Sequence, residues 1–587
     1  MKKQDFRLWY ALALAAMGAV LAVRALYGFC WSDESFYLTF AQRLWNGQKL
    51  ILDEWHPVQF YSVLFYPILS LYRALFGTTG IYLFAREVYV AAALATALFL
   101  FFTLCRGCKP LTAFLCAALY LSYSRGNIWG VSYYNLFLTL CLLFVCLTAR
   151  GREGEKKPNL LAGVCLAGAV LCVPYFALFV VPGLIAGLCV RKTRKSALWN
   201  ALGVCLLAAV FLIFFLPKDI PAVLASLKEI LSDPEHTGGP LTYLLAAIRD
   251  VKLLYFYEAL LSLFAGAVLL LGVKLLPKRF GALPGLLIAA CGAAVSLRRY
   301  WPGETGFAFY QFALFCLPAM LLCWARREIK RPALLLRVLG ILMALAMGLS
   351  SNTEAITFTV GLPVYAMGVL MQLDGLSGEG EMPIRIFGAV LACAVLCVTY
   401  GTRITSVFRD GPLNTLTETM ASGPAAGIRT TQAHAGQYQQ ILAMLEELEG
   451  EYGGENPIFF TKLLPWGYLA ADFPCGAPTA WRTALDSQKL PDYYAAHPDS
   501  IPAIVVVLGD DIGDYPGAPA PNENTRSGWL WDYMGQNGYR CREYACGDVY
   551  VSPRANRKEQ TPCSLFSTSS SPATMRKRSC PSLPPCF

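Results

Sequence analysis

The chain has 587 residues, of which 56% are hydrophobic and 15% are charged, and its formal net charge is +10. Soluble domains carry about 25% charged residues, so this composition excludes an ordinary soluble enzyme, a disordered chain and a coiled coil. Lys and Arg accumulate in the cytoplasmic loops of membrane proteins, which explains the positive charge, and we expect no nucleic-acid partner.

The first apolar run, residues 9–29, follows Lys2, Lys3 and Arg7. It is long for a signal peptide, and no small-residue cleavage site follows it convincingly. It therefore predicts an uncleaved first membrane span with the N-terminus in the cytoplasm.

Further apolar runs continue to residue 401, and since a span needs about 20 apolar residues, the total is about thirteen transmembrane helices. Basic clusters between the runs fall on the same side as Lys2 and Lys3, which is the pattern of cytoplasmic loops. We predict an α-helical polytopic protein of the plasma membrane over residues 1–401. The runs after the first are 80–105, 111–124, 131–149, 159–173, 175–190, 197–216, 252–273, 281–297, 307–324, 333–350, 355–372 and 385–401.

The first outer loop, residues 30–79, gathers acids beside the membrane. Its apolar spacing predicts an amphipathic interfacial helix over 35–45 and a second interfacial helix over 57–76. The acids could be solvated or could cap the helix that follows Ser32. A partly desolvated carboxylate at the bilayer surface, however, has the raised basicity that a general base needs. The titratable residues in question are Asp33, Glu34, Asp53, Glu54 and His56.

This loop resembles the first outer loop of the GT-C superfamily of polytopic glycosyltransferases, which includes protein O-mannosyltransferases and the aminoarabinose transferase of lipid A. The resemblance is carried by DESFY at 33–37, Asn46-Gly47 and DEWHP at 53–57, and it is strongest over residues 8–150. Val58 stands where a second proline is common. Arg86 resembles the arginine that opens the next span in relatives.

The resemblance implies transfer of a sugar from a polyprenyl-phosphate carrier to a hydroxyl of a glycan, lipid or protein acceptor at the outer face, with inversion. It makes Asp33 the general base, with Glu34 orienting it or contacting the acceptor. Asp53, Glu54 and His56 become candidates for substrate hydroxyls or for a divalent metal, which the superfamily does not always require. His56 could equally pack within the loop.

A lipid-phosphate donor needs cations near the outer interface, and positive residues there oppose the usual loop bias. The pair Arg298 and Arg299 is the best candidate, with snorkelling interfacial anchors as the alternative. Arg24 is interpreted as a snorkelling side chain, and Arg86 could simply pair with Glu87. The basic residues that the topology places on the outer side are Arg86, Arg125, Arg298, Arg299 and Arg403.

Residues 402–555 change to a polar, mixed-charge composition, with a helix expected over 432–449 and strands over 458–461 and 504–508. They predict a small extracytoplasmic α/β domain, and the Ser- and Pro-rich residues 556–587 predict a disordered tail. Aromatic residues of this domain could stack on sugar rings or form its core. They are Trp466, Tyr468, Trp481, Tyr493 and Tyr494.

Two other function classes stay open. A transporter or flippase of a lipid-linked glycan would line a path through the membrane centre with charges, whereas the acids here gather at one surface. A non-catalytic envelope scaffold would tolerate removal of the acids in 33–54.

Overall fold

The structure is a computed structural model that describes residues 6–151, 154–231, 239–299, 306–376, 381–481, 483, 485, 487–510, 512–513 and 526–558. Nearly all of the predicted tail, from residue 559 onwards, lies outside these ranges. The larger part of the described chain is helical, and a small sheet occurs only near its C-terminal end.

The helices that precede the C-terminal domain follow the apolar runs of the sequence. They are α1 (Arg7–Arg24), α2 (Asp33–Trp45), α3 (Ser62–Phe76), α4 (Ile81–Leu104), α5 (Pro110–Ser122), α6 (Tyr133–Arg150), α7 (Lys156–Cys172), α8 (Ala177–Cys189), α9 (Arg194–Phe214), α10 (Ile220–Leu231), α11 (Pro240–Leu275), α12 (Leu283–Arg299), α13 (Ala308–Phe315), α14 (Leu317–Ala325), α15 (Arg331–Ser350), α16 (Leu362–Asp374) and α17 (Met382–Thr405).

Within the described ranges, 8 helices are long and apolar enough to cross a membrane, or 9 if the segment Glu354–Val360 and α16, bent by 52°, form one span. Large apolar side chains cover their outer surfaces, as expected where lipid replaces water. This confirms a multi-pass membrane protein. The predicted runs at 111–124 and 175–190 form helices of only 13 residues each, so the count of thirteen spans stays a prediction.

Helix α2 is more enclosed by protein than its amphipathic pattern predicts. Every residue from Glu34 to Arg43 is buried, including the polar ones. The Tyr37 hydroxyl lies 2.7 Å from that of Tyr134 on α6, and Arg43 donates to the carbonyl of Ala477. The C-terminal domain thus contacts α2, whose polar side chains are covered by protein.

The C-terminal domain is a small α/β unit, which confirms the predicted helix and both predicted strands. Its four-stranded sheet has the order β3-β4-β6-β5, with β3 and β4 parallel and the other pairs antiparallel. Helix α17 continues to Thr405, so the predicted boundary at 401 falls inside it. The elements are β1 (Glu418–Thr419), β2 (Arg429–Thr430), α18 (Gln432–Tyr452), β3 (Ile458–Phe460), α19 (Gly467–Ala470), α20 (Lys489–Ala496), β4 (Ile504–Leu508), α21 (Trp529–Gln536), β5 (Arg540–Tyr544) and β6 (Gly547–Val551).

The C-terminal domain is joined to the chain that leaves α1. The Arg429 N–H of β2 donates to the Leu26 carbonyl at 2.7 Å, and the Gly28 N–H donates back to the Arg429 carbonyl at 2.8 Å. Phe29 and Trp31 share a buried cluster with Trp466 of the C-terminal domain. The start of the first outer loop is therefore part of the core of this domain, which holds it in one position.

Candidate functional site

Asp33 is the first residue of α2, where the partial positive charge of the helix N-terminus favours a carboxylate. Its side chain is 17% exposed, and its Oδ2 lies 3.1 Å from Nη1 of Arg409. The Ser32 hydroxyl makes no capping bond; it donates to Asp33 Oδ2 at 3.3 Å and accepts from Arg409 at 2.7 Å. Asp33 is thus a partly desolvated carboxylate held by a guanidinium.

Three tyrosines, Tyr37, Tyr133 and Tyr134, lie close enough to Asp33 to interact with its charge, and we call them the tyrosine cluster. Burial, assisted by Tyr134, raises the pKa of Tyr37 well above its ordinary value. Its hydroxyl therefore stays neutral and can donate or accept a hydrogen bond. The cluster places neutral hydroxyls beside a carboxylate, an environment suited to a sugar or to a phosphate oxygen.

Arg125 lies behind the tyrosine cluster, in the short turn between α5 and α6, and is buried. It donates to the hydroxyl of Thr353, shares a hydrogen bond with Tyr133, and its guanidinium carbon lies 4.9 Å from the Tyr134 ring centroid. Its Nη1 has no hydrogen-bond partner among the described residues. Because an unpaired buried N–H of a charged group is costly, this position suits an anionic ligand.

An apolar cavity of about 260 Å³ lies against the segment that follows Thr353 in the chain. Its walls come from α11, α13, α15, α16 and the segment Glu354–Val360, which begins next to the hydroxyl that Arg125 binds. The cavity is lined by Ile248, Tyr310, Ala313, Gly340, Ile341, Ala344, Leu345, Phe358, Leu362 and Tyr365. An aliphatic chain could occupy it without losing any polar contact.

Glu34, predicted to orient Asp33 or to contact the acceptor, binds Arg86, a candidate for binding the lipid-phosphate donor. Glu34 is buried; its Oε2 accepts from Arg86 at 2.9 and 2.5 Å, and its Oε1 accepts from the Trp129 N–H at 2.9 Å. Arg86 also donates to the carbonyls of Ala25 and Gly28, both at 2.7 Å. Burial raises the pKa of Glu34, and the guanidinium opposes that effect. Both side chains are engaged within the protein, and the carboxylate that Arg86 hydrogen-bonds is that of Glu34 rather than that of Glu87.

Arg24 and Arg403 surround the same region. Arg24, interpreted from the sequence as snorkelling, is buried and donates to the carbonyls of Ile404 and Ser406 at 3.0 and 2.9 Å. Arg403 is also buried, and its guanidinium carbon lies 4.1 Å from the Trp129 ring centroid. Arg24 therefore joins the end of α1 to the end of α17, which corrects the snorkelling interpretation.

The second acidic pair lies where the first outer loop meets the C-terminal domain, since the Tyr493 hydroxyl donates to the Asp53 carbonyl at 2.9 Å. Glu54 is buried against Arg43, with 2.8 Å between Oε2 and Nη1. Asp53 accepts from the Lys49 N–H at 2.6 Å, and the His56 ring packs 4.8 Å from that of Phe36. No group of three His, Cys, Asp or Glu in the described chain could hold a metal ion. The loop-packing interpretation of His56 fits, and the metal alternative for these three residues finds no support.

Arg298 and Arg299 lie apart from this group, at the C-terminal end of α12. Both are exposed, and Arg299 lies 3.7 Å from Glu258 of α11. No described contact joins either of them to Asp33 or Arg125. The residues that follow them, 300–305, are outside the described part of the chain.

Sequence reasoning missed Arg409, Asp410 and His434. The Asp410 side chain is buried, and its Oδ1 lies 2.8 Å from Nδ1 of His434 on α18. The only signal in the sequence was an Arg-Asp-Gly run shortly after the last apolar run, on the predicted outer side. Its partners are distant in the chain, so no local pattern could have identified them.

The aromatic residues of the C-terminal domain are core residues, with one exception. Trp466, Tyr468, Tyr493 and Tyr494 are buried. Trp481 is half-buried, and its ring centroid lies 4.7 Å from that of Phe36 on α2. Trp481 therefore packs against α2 itself, whereas the other four residues belong to the buried cluster of the C-terminal domain.

No protein-family model matches the chain, and no curated protein matches it. Among solved structures, the archaeal oligosaccharyltransferase AglB from Archaeoglobus fulgidus, in complex with an inhibitory peptide and a dolichol-phosphate, aligns over 94% of this chain and 75% of its own, with 12% identity and a TM-score of 0.46. ArnT from Cupriavidus metallidurans bound to undecaprenyl phosphate aligns over 93% of this chain and 99% of its own, with 11% identity and a TM-score of 0.46. At such values these similarities carry no conclusion about the reaction, which depends on the residues of this chain.

Proposed function

We propose that the protein is a membrane glycosyltransferase that moves a sugar from a polyprenyl-phosphate carrier to an acceptor hydroxyl at the outer face of the membrane. The observation that carries the proposal is the juxtaposition of a partly exposed carboxylate, Asp33, with the tyrosine cluster and the buried cation of Arg125. The reaction needs both charges, because the carboxylate takes the proton of the acceptor hydroxyl and the guanidinium stabilises the leaving phosphate.

Asp33 acts as the general base. The acceptor hydroxyl must lose a proton as it attacks the anomeric carbon, and a carboxylate within hydrogen-bond reach can take it. Direct displacement needs a base but no nucleophile from the protein, so it inverts the configuration. Glu34 positions Asp33 rather than reacting, since both its oxygens are bound within the protein.

Arg125 and the tyrosine cluster receive the phosphate of the carrier. As the bond to the sugar breaks, negative charge grows on the phosphate, and fixed donors in a buried site stabilise that charge strongly. The unpaired Nη1 of Arg125 is such a donor. The apolar cavity beside the Thr353 segment accommodates part of the polyprenyl chain.

The position of the site along the helices supports action at the outer face. The site lies at the C-terminal end of α1 and at the N-terminal ends of α4 and α6, whereas the basic clusters lie at their opposite ends, which the charge bias assigns to the cytoplasm. The buried pair Glu34–Arg86 lies near the N-terminal ends of α2 and α4. The pair Arg326–Glu381, whose arginine is exposed, lies at helix ends as well, so neither pair lines a transport path through the membrane centre.

The test uses the purified full-length protein with radiolabelled polyprenyl-phosphate sugars and a panel of acceptors. Wild type should transfer label, and Asp33→Asn should lower kcat by about 100-fold or more, as expected for a lost general base. Asp499→Asn, which removes an exposed carboxylate of the C-terminal domain, is the matched control and should leave kcat unchanged.

Transfer that is unchanged in Asp33→Asn would refute the assignment of the base. Movement of the labelled lipid across vesicles without any transfer would instead identify a flippase. Lack of both activities would leave the scaffold as the remaining class.

A further inference from the structure

We propose that Arg409 is a positioning residue for Asp33, and that the C-terminal domain holds Arg409 in place through Asp410. This inference rests on the proposed function and adds a role for the short linker, residues 406–411, between α17 and the C-terminal domain. With this role, the C-terminal domain helps to orient the general base, Asp33.

The first step is the contact between Arg409 and the start of α2. Nη1 of Arg409 lies 3.1 Å from Oδ2 of Asp33 and donates to the Ser32 hydroxyl at 2.7 Å. The Arg409 side chain is 35% exposed and the Asp33 side chain 17%, so the pair borders solvent on one side and the tyrosine cluster on the other. Such a pair fixes the position of the Asp33 carboxylate beside the tyrosine cluster.

The second step is the backbone of Arg409. Its φ of +52° is in the left-handed region, which residues other than Gly and Asn rarely adopt. A conformation of this kind persists only where the surrounding structure over-determines it, and such residues concentrate at functional sites. The contacts of the next residue, Asp410, hold the Arg409 backbone in this conformation.

The third step is the clamp on Asp410. Its buried carboxylate accepts from the Phe29 N–H, the Thr430 hydroxyl and the Gly411 N–H, each at 2.7 Å, and lies 2.8 Å from His434 Nδ1. Phe29 directly precedes the first outer loop, whereas Thr430 and His434 belong to β2 and α18. One carboxylate therefore ties the linker to the loop that carries Asp33 and to the C-terminal domain.

These contacts form one continuous chain from the C-terminal domain to the base. His434 and Thr430 fix Asp410, Asp410 fixes the backbone of its neighbour, and Arg409 fixes Asp33. A misplacement of about 1 Å at a reacting group can lower a rate about 100-fold, so loss of any link should lower kcat more than it weakens substrate binding.

The test compares Arg409→Asn with Arg409→Lys in the full-length protein. Asn tolerates positive φ and removes the charge, whereas Lys keeps the charge without the planar fork. Arg409→Asn should lower kcat by about 10- to 100-fold with KM for donor and acceptor changed less than about threefold, and Arg409→Lys should restore much of the loss. Arg554→Asn, at an exposed arginine of the same domain, is the control and should match wild type.

Asp410→Asn provides the second arm, because it keeps the size of the side chain while weakening its hydrogen bonds. It should lower kcat in the same direction as Arg409→Asn. A wild-type kcat in Arg409→Asn would overturn the inference. So would a rise in KM alone, which would make Arg409 a substrate ligand, or an equal loss in the Asn and Lys variants with a lowered melting temperature, which would make its role structural.

The two proposals fail in different ways. If Asp33→Asn is fully active, or if wild type transfers no sugar, the proposed function fails and this inference falls with it. If Asp33→Asn is inactive while Arg409→Asn and Asp410→Asn keep the wild-type kcat, only the positioning role fails.

Discussion

Replacing Arg86 by Met separates the role that the resemblance implies for this arginine from the role that its contacts indicate. In the structure Arg86 donates twice to Glu34, at 2.9 and 2.5 Å, and once each to the carbonyls of Ala25 and Gly28. Met fills a similar volume but makes none of these bonds. The substitution therefore leaves a buried carboxylate with only the Trp129 N–H as a described partner.

The expected cost is large because one partner of a buried ion pair is removed while the other stays. Such a change costs about 3–5 kcal/mol of stability. Adding Glu34→Gln removes the unpaired charge, so the double variant should recover about 0.5–3 kcal/mol of that loss, the usual range for residues in contact. Such a recovery of stability would show that Arg86 and Glu34 pair with each other inside the protein.

The assay follows thermal unfolding of the purified protein in detergent for wild type, both single variants and the double variant, together with sugar transfer. The double variant should keep a KM for the lipid donor within about threefold of wild type, since the proposed function assigns Arg86 no contact with the donor. If Arg86→Met were as stable as wild type and its KM for the donor rose strongly, the internal pairing would be refuted, and Arg86 would be a ligand of the carrier.

Three further changes have defined outcomes. Glu54→Gln should leave Arg43 without its buried counter-charge and lower stability by about 3–5 kcal/mol, measured by thermal unfolding; an unchanged melting temperature would argue against the pair. Ile341→Trp should raise KM for a long-chain polyprenyl donor by narrowing the apolar cavity, while a short-chain analogue assayed in parallel should be unaffected. Burial would raise the pKa of Asp410, but the hydrogen bonds of its carboxylate, led by the one from His434, lower the pKa below the ordinary 3.8. The stabilisation that this carboxylate contributes is therefore present above pH 3.8, and it is lost as the pH falls through the lower folded-state pKa. Asp410→Asn should lower stability at pH 7 and remove that acid dependence, as acid titration followed by tryptophan fluorescence would measure.

The sequence alone predicted the large-scale organisation correctly because that organisation depends on local patterns. Runs of apolar residues with few charges form helices wherever lipid is the solvent, whatever their neighbours. The helix over Gln432–Tyr452 and the strands β3 and β4 followed from periodicity and composition in the same way. The bend between Glu354–Val360 and α16 could not be predicted, since both parts are similarly apolar.

The acidic loop shows the limit of that reasoning. Asp33 and Glu34 are adjacent and chemically alike, and nothing in the local pattern beyond the resemblance separates their roles. On a helix, successive residues point about 100° apart. One therefore faces Arg409 from the linker before the C-terminal domain, and the other faces Arg86 on α4.

The pattern of residues along the chain was enough to identify a multi-pass helical protein and the loop in which the carboxylates gather. Folding settled which of these carboxylates pair inside the protein, and it placed α2 against a domain from the other end of the chain. It also left Nη1 of Arg125 without a hydrogen-bond partner among the described residues. The reason is that burial and ion pairing depend on groups brought together by folding from distant positions, whereas apolar periodicity is complete within each segment.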